Sequence, residues 1–253
     1  MKPVTVIFFV SFLLVLTLYC TNVTQLKLKE NPEFEKNAVK FVVTNPINQV
    51  LFIIEDLTLN TVYEVAVDKQ ESQKDVTVLE EEQRDDAYIS KTKTFASHKF
   101  FIVNPWDSVE YEIVGTTTYF ITKEEEESKS FEVGKMVYPI EFWIFDNGIE
   151  VGKITIYESP SKPNQTLDLI IHDKQMKLDY SIFLNKKSFL IERCFAFEDE
   201  NGLITLIGLK QKGTRHRGDI LIQNEISREL KADILSMYMI IETALGIIGA
   251  EKI

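Results

Sequence analysis

Cysteine and histidine are scarce in this chain of 253 residues, which has two cysteines and three histidines. Cys20 ends the first apolar run, so we expect no structural disulfide. Cys194 lies in an apolar pattern and is predicted to be a small buried hydrophobic residue. His98, His172 and His216 are far apart in sequence and match no metal-ligand spacing. We therefore interpret the histidines as surface or hairpin residues and predict no metal site.

Positive charge is also in short supply. The chain has 28 Lys and Arg against 39 Asp and Glu, a net charge of −11. This balance argues against a nucleic-acid partner, because neutralising phosphates requires clustered cations. One compact segment is basic, and its cations are Lys210, Lys212, Arg215 and Arg217. We consider two interpretations of it: contact with a phosphorylated headgroup or acidic surface, and a flexible solvated turn between two strands.

Catalytic motifs are missing as well. The sequence contains no Gly-rich phosphate loop, no Gly-x-Ser-x-Gly and no His-Glu-x-x-His. Asp146 and Asp199 recur at equivalent places, but both open Asn-Gly hairpins, where an Asp supports the turn. We therefore predict that the protein is not an enzyme, with no catalytic residues and no cofactor.

Two stretches are rich in acidic residues, Asp68 to Lys93 and Lys123 to Lys129. Calcium loops alternate their oxygen ligands and use a Gly to bend the chain, and neither stretch has that form. We expect both to be solvated loops.

Residues 1–20 combine an early Lys2 with an unbroken apolar run from Val4, the layout of a secretory signal peptide. Cleavage after Cys20 is disfavoured by the large residues that precede it, so a cleaved signal and an uncleaved anchor both remain open. Either places the protein in the secretory pathway, secreted or membrane-anchored; otherwise it is cytosolic. Asn22 and Asn164 match the glycosylation pattern. Residues 21–37 are predicted to be a polar spacer.

From residue 38 the chain repeats an aromatic-rich strand, an Asn-Pro or Asn-Gly turn, and a β-branched return strand. Asn-Gly supplies the positive φ of tight hairpins, and Asn-Pro marks the start of a turn. Hairpins of this form and the plausible strands between them give twelve or more strands. The hairpins begin near Lys40, Lys99, Glu141 and Cys194, and the other strands are Thr61–Val67, Thr116–Thr122, Thr166–Ile171, Met176–Leu184, Ser188–Arg193 and Asp219–Gln223.

The chain ends in one apolar helix, predicted over residues 226–249. Its apolar residues recur every three or four positions and so share one helical stripe, and other faces are apolar from Met237 onward. Such a helix is buried in a protein or lies in a membrane. Asp233 and Glu242 make a membrane span costly, which favours the protein core. The stripe consists of Ile226, Leu230, Ile234, Met237, Ile241, Leu245 and Ile248.

Strands in Asn-Gly and Asn-Pro hairpins, followed by one apolar helix, resemble the tubby C-terminal-like superfamily, which includes LURP-one-related proteins and phospholipid scramblases. Residues 41–56 are similar to the scramblase opening hairpin, residues 142–154 also match, and residues 230–248 resemble the closing helix. The likeness covers residues 38–253. It implies a mainly β fold: a closed antiparallel barrel of about twelve strands enclosing the C-terminal helix.

Two functions follow as hypotheses. The first is a non-enzymatic barrel that docks on membranes or binds lipid, as the resemblance implies, with the basic segment as the contact. The second is a secreted or surface-anchored β-protein that binds a protein partner, with a purely structural helix. The signal-like start and the acidic surface motivate this alternative.

Overall fold

The structure, a computed structural model, describes residues 28, 31–46, 51–84, 87–103, 110–126, 129–157, 164–171, 174–185, 190–212 and 215–250. The predicted signal or anchor, Cys20, Asn22 and His172 lie outside these residues. Within the described residues, twelve strands form one antiparallel sheet and one long helix follows them. The prediction of a mainly β chain with a C-terminal helix is confirmed.

The strands are β1 (Ala38–Asn45), β2 (Leu51–Asp56), β3 (Thr61–Arg84), β4 (Ala87–Val103), β5 (Glu110–Glu126), β6 (Lys129–Asp146), β7 (Ile149–Ile156), β8 (Asn164–Ile171), β9 (Lys174–Asn185), β10 (Leu190–Asp199), β11 (Gly202–Lys212) and β12 (Arg215–Gln223). A 3₁₀ turn, Glu35–Asn37, precedes them, and helix α1 (Arg228–Ala250) follows.

Each strand pairs with the strand before it and the strand after it. β1 also pairs with β12 over eight residue pairs, from Ala38 opposite Gln223 to Asn45 opposite His216. Odd-numbered strands therefore all run one way and even-numbered strands the other. We call the end where odd-numbered strands finish the upper end, and the opposite end the lower end.

Positive φ occurs in both predicted Asn-Gly turns, whereas the two Asn-Pro turns lie largely outside the described residues. Asn147 and Gly148 both have positive φ, 49° and 79°, and join β6 to β7. Gly202, with φ 118°, begins β11 after Asn201. Asp146 Oδ1 accepts a hydrogen bond from Asn147 Nδ2, and Asp199 Oδ1 accepts one from the Asn201 N–H. Both aspartates thus support turns, as predicted.

Helix α1 begins after β12, at the lower end, and runs toward the upper end. Ser227 caps it, because its Oγ accepts the N–H of Leu230 at 3.2 Å. Tyr111, at the start of β5, donates its hydroxyl to Asp233 Oδ1 at 3.1 Å. Every residue from Ile234 to Leu245 is buried, so all faces of this part of the helix are covered.

The main hydrophobic core joins the helix to the alternate strand residues that face it. Tyr238 packs edge-on against Phe52 of β2 and Phe195 of β10, with ring centroids 6.4 Å and 5.6 Å away. Of the predicted stripe, Ile234, Met237, Ile241 and Leu245 are buried, and Ile226 and Leu230 pack against the core while partly exposed. The side chain of Ile248 is outside the described part.

A second, smaller core lies on the other side of the sheet. Cys194, Ala196, Leu206 and Leu221 form it, and the burial of Cys194 confirms the prediction for this residue. Leu28 and Phe34 pack against these residues. Part of the predicted spacer, residues 21–37, is therefore packed on the sheet.

The prediction of acidic loops is wrong. Asp68 to Arg84 belongs to β3, and Lys123 to Glu126 belongs to β5. Strands β3 to β6 continue beyond their neighbours as a four-stranded extension, residues 75–84, 87–95, 118–126 and 129–137, which we call the arm. Opposite charges face each other across its strands, as Lys91 does with Glu80. Most arm residues are exposed, which removes the alternation of apolar and polar residues by which a strand is recognised.

Candidate functional site

The four basic residues singled out in the sequence lie on one hairpin at the upper end. Lys210 is opposite Arg217, and Lys212 is opposite Arg215, in the β11–β12 ladder. Directly opposite residues share a face, and alternate residues of one strand share a face. The register therefore places all four positions on one face, which we call the basic hairpin face. A flexible turn does not describe them, because all four lie in strands.

The basic hairpin face points away from the helix. Leu209 and Ile220 belong to the core on the helix side, so Lys210 and Arg217, an odd number of positions away, face outward. Both are exposed. Lys210 and Arg217 thus stand on the outer surface toward the upper end of the sheet.

Two acidic residues adjoin this face. Glu192 of β10 is opposite Lys210, and Asp219 follows Arg217 by two positions on β12. The six positions carry four positive and two negative charges, a local balance of +2 in a chain whose net charge is −11. The hairpin is therefore a basic region on an acidic protein.

A buried polar cluster lies on the other side of the same strands. Arg193 of β10 donates through Nη1 to Oε2 of Glu242, on α1, at 3.0 Å. His216 of β12 lies beside both: its Nδ1 is 3.4 Å from Arg193 Nη2 and 3.8 Å from Glu242 Oε2. Arg193, His216 and Glu242 are 9%, 4% and 1% exposed. The cluster ties the helix to β10 and β12 directly beneath the hairpin.

Burial sets the protonation of these groups. Burial, with the nearby Arg193 cation, lowers the pKa of His216 to about 4, so its imidazole is neutral at pH 7. Burial raises the pKa of Glu242 above its usual range, and the charge and hydrogen bond of Arg193 oppose that rise. Glu242 Oε1 and His216 Nε2 are buried and accept or donate no hydrogen bond among the described residues. The cluster therefore holds polar atoms that the fold does not satisfy.

Sequence reasoning noted Glu242 only as an obstacle to a membrane span and missed Arg193. The available signal was a single carboxylate in the buried half of an otherwise apolar helix, since such a group requires a cation. Arg193 occupies a helix-facing position two residues before Phe195, and that alternation was readable. Their pairing was not, because 49 residues separate them.

The interpretation of the histidines as surface or hairpin residues missed the burial of His98 and His216, and His172 lies outside the described residues. His98 is 3% exposed, and its Nε2 is 3.1 Å from Thr117 Oγ1. His216 is buried in the cluster described above. Helix-facing positions on strands explain both, because neutral imidazole packs in a core when a polar atom is near. In the part of the chain that the structure describes, no three His, Cys, Asp or Glu residues are grouped as a metal would require.

No family model, curated protein or solved structure compared with this chain matches it. The tubby-like resemblance therefore stays a proposal. Among the described residues, no helix combines the length and hydrophobicity that a membrane crossing requires.

Proposed function

We propose that the protein is a non-enzymatic barrel of the tubby-like kind that binds anionic lipid surfaces through its basic hairpin face. The observation that carries this function is the β11–β12 register, which brings Lys210, Lys212, Arg215 and Arg217 to one outward face. Two residues separate Lys210 and Lys212 from Arg215 and Arg217 in sequence, and the pairing of the two strands brings the four positions to the same face.

Barrel closure is the architectural part of the proposal. The pairing of β1 with both β2 and β12 supports it, because each of the twelve strands then pairs with one strand on either side. The burial of α1 on every face from Ile234 to Leu245 also supports it. An enclosed helix would fill an interior that twelve strands leave too wide for their own side chains.

Electrostatics gives the binding its orientation. A Lys or Arg near an anionic bilayer contributes about 1 kcal/mol, and the attraction fades within a Debye length, about 8 Å at physiological salt. The acidic remainder of the protein is repelled by the same surface. The hairpin is therefore the part of the surface through which we expect the protein to approach the lipid.

Vesicle co-sedimentation of the full chain tests the function. We expect more binding to vesicles that contain phosphatidylserine than to phosphatidylcholine vesicles, and loss of the difference at high salt. The phosphatidylcholine arm accounts for any contribution of the apolar residues 1–20. Equal binding to both vesicles at every salt concentration would contradict lipid recognition by charge.

A protein partner is the second candidate, and the arm favours it. Several large apolar residues are exposed there, and groups of exposed apolar residues often mark interaction sites. On the face that continues the outer surface they are Phe95, Phe120, Phe131, Val133 and Val137, and others are Val76, Val78 and Leu79. Crosslinking of the full chain to a protein partner, with and without Phe131→Ser and Val133→Ser, would separate the candidates. Loss of the crosslink in the variant would favour a protein partner at the arm, because these changes leave the basic hairpin face intact.

A further inference from the structure

A cavity of about 340 Å³ opens at the lower end, between the first turn of α1 and the inner side of β1 to β3. It lies at the opposite end from the basic hairpin face. Its lining combines apolar side chains with two cations, Arg228 and Lys231, one carboxylate, Asp56, and the hydroxyl residue Thr58. Concave apolar sites with a few polar groups are typical of small-ligand pockets.

The apolar wall is continuous with the core. Phe41 is buried, and Val39 and Tyr63 are partly buried against the core. Leu59, in the turn between β2 and β3, also lines the cavity and is 66% exposed. A ligand with a hydrocarbon part would cover Leu59 and extend the packing of the wall.

Among the described residues, the fold uses only part of the hydrogen-bonding capacity of Lys231. Lys231 Nζ donates one hydrogen bond, to the Asn224 carbonyl at 2.9 Å, and an ammonium has three donors. One oxygen of the lining carboxylate Asp56 is engaged by the turn that follows β2. Asp56 Oδ1 accepts the N–H groups of Thr58 and Leu59 at 2.8 Å and 3.0 Å. At the start of the helix, Glu229 is hydrogen-bonded to its own backbone and to Ser227, and these bonds lower the pKa of Glu229.

We propose that this cavity binds a small amphipathic carboxylate. The carboxylate contacts Arg228 and Lys231, and the apolar part packs on Val39, Phe41 and Tyr63. The positive end of the helix dipole adds to the attraction. The volume lies at the low end of the range of about 300–1,000 Å³ for ligand sites, so a single medium-length chain fits this chemistry better than a two-chain lipid. The proposal does not depend on lipid binding by the hairpin.

Titration calorimetry of the full chain with octanoate, octanol and inorganic phosphate tests the site. We expect octanoate to bind at least about tenfold more tightly than the other two, since each of them lacks one half of the recognition. The double variant Arg228→Met and Lys231→Met should lose at least about tenfold in octanoate affinity. Measuring the difference between wild type and variant separates the site from non-specific uptake by apolar segments.

Lys36→Met and Lys40→Met form the matched control, because both lysines are exposed and do not line the cavity. This control should bind octanoate as the wild type does. The proposal is overturned if octanoate does not bind, if octanol binds equally well, or if the cavity variant and the control behave alike. Preferential binding of phosphate would also overturn it, since that would indicate a simple anion site. Thermal unfolding of each variant verifies that it is folded.

Discussion

Arg193 and Glu242 form a buried ion pair, Nη1 to Oε2 at 3.0 Å, that joins strand β10 to the last third of helix α1. It is a charged contact between the sheet and a helix segment that is otherwise mostly apolar. Removing ions from water is costly, and the attraction between them offsets the cost only while both are present. We therefore expect the pair to fix how the helix sits against the sheet more than it adds net stability.

The first prediction concerns this pair. Glu242→Leu alone should lower the free energy of unfolding by about 3–5 kcal/mol, because it leaves the Arg193 charge buried without its carboxylate. The double change Arg193→Met and Glu242→Leu should recover most of that loss, since neither charge is then buried. Urea denaturation of the two single variants and the double variant measures the coupling. Losses that simply add would show that the residues do not act as a pair.

The second prediction is a pH dependence that arises from His216. Its pKa is about 4 in the folded chain and 6.5 in the unfolded one, so the unfolded chain binds more protons between these values. Stability should therefore rise from pH 4 to pH 6.5, by at most about 3 kcal/mol from this residue. Above pH 6.5 this contribution is complete. The raised pKa of Glu242 acts in the opposite direction, because the folded chain then retains a proton longer.

Comparing the wild type with His216→Gln isolates the histidine from the carboxylates. The variant should show a flatter dependence of urea midpoint on pH between 4 and 6.5. An unchanged slope would mean that His216 titrates alike in the folded and unfolded chain.

The third prediction tests the helix as core. Ile241 has no exposed area, so Ile241→Ala should lower the free energy of unfolding by about 2–5 kcal/mol. Ile241→Glu should unfold the domain. Ile149 is 69% exposed, and its change to Ala should stay within about 0.5 kcal/mol of the wild type. Circular dichroism and urea denaturation compare the two sites. A folded, soluble Ile241→Glu protein would refute burial of the helix.

The fourth prediction uses two glycines of the long strands. A Cβ on Gly115 would come within 2.2 Å of the Phe142 ring, whereas one on Gly134 would meet nothing within 4 Å. Gly115→Ala should therefore destabilise the protein by about 1–3 kcal/mol through overpacking. Gly134→Ala, in the exposed arm, should have little effect or stabilise slightly. Equal thermal stability of the two variants would show that the Phe142 ring does not pack against Gly115.

Local chemistry explains what the sequence could predict. Asn147-Gly148 and Asn201-Gly202 specify tight turns through their own backbone preferences, so the hairpins around them follow from short stretches. The spacing of Ile234, Met237 and Ile241 specifies a helix in the same way, and apolar residues on its other faces indicate burial. These features require no knowledge of distant residues.

Long-range pairing explains which features the sequence could not predict. The charged stretch around Glu80 resembles a loop until Lys91 is known to stand opposite it across a strand pair. The basic hairpin face exists only because the β11–β12 register aligns Lys210 with Arg217. Arg193 and Glu242 meet only once the helix is placed against β10. A contact of this kind leaves no periodic signal in the sequence.

The most direct test of lipid recognition measures the affinity of the full chain for phosphatidylserine-containing vesicles with matched charge changes. Lys210→Gln with Arg217→Gln should weaken binding about 30-fold, at about 1 kcal/mol per cation. Lys36→Gln with Lys93→Gln changes net charge equally at other exposed sites and should leave the affinity near that of the wild type. Glu192→Gln, which removes the anion opposite Lys210, should strengthen binding. Equal weakening by both double variants would contradict the account, because net charge and not the hairpin would then govern binding.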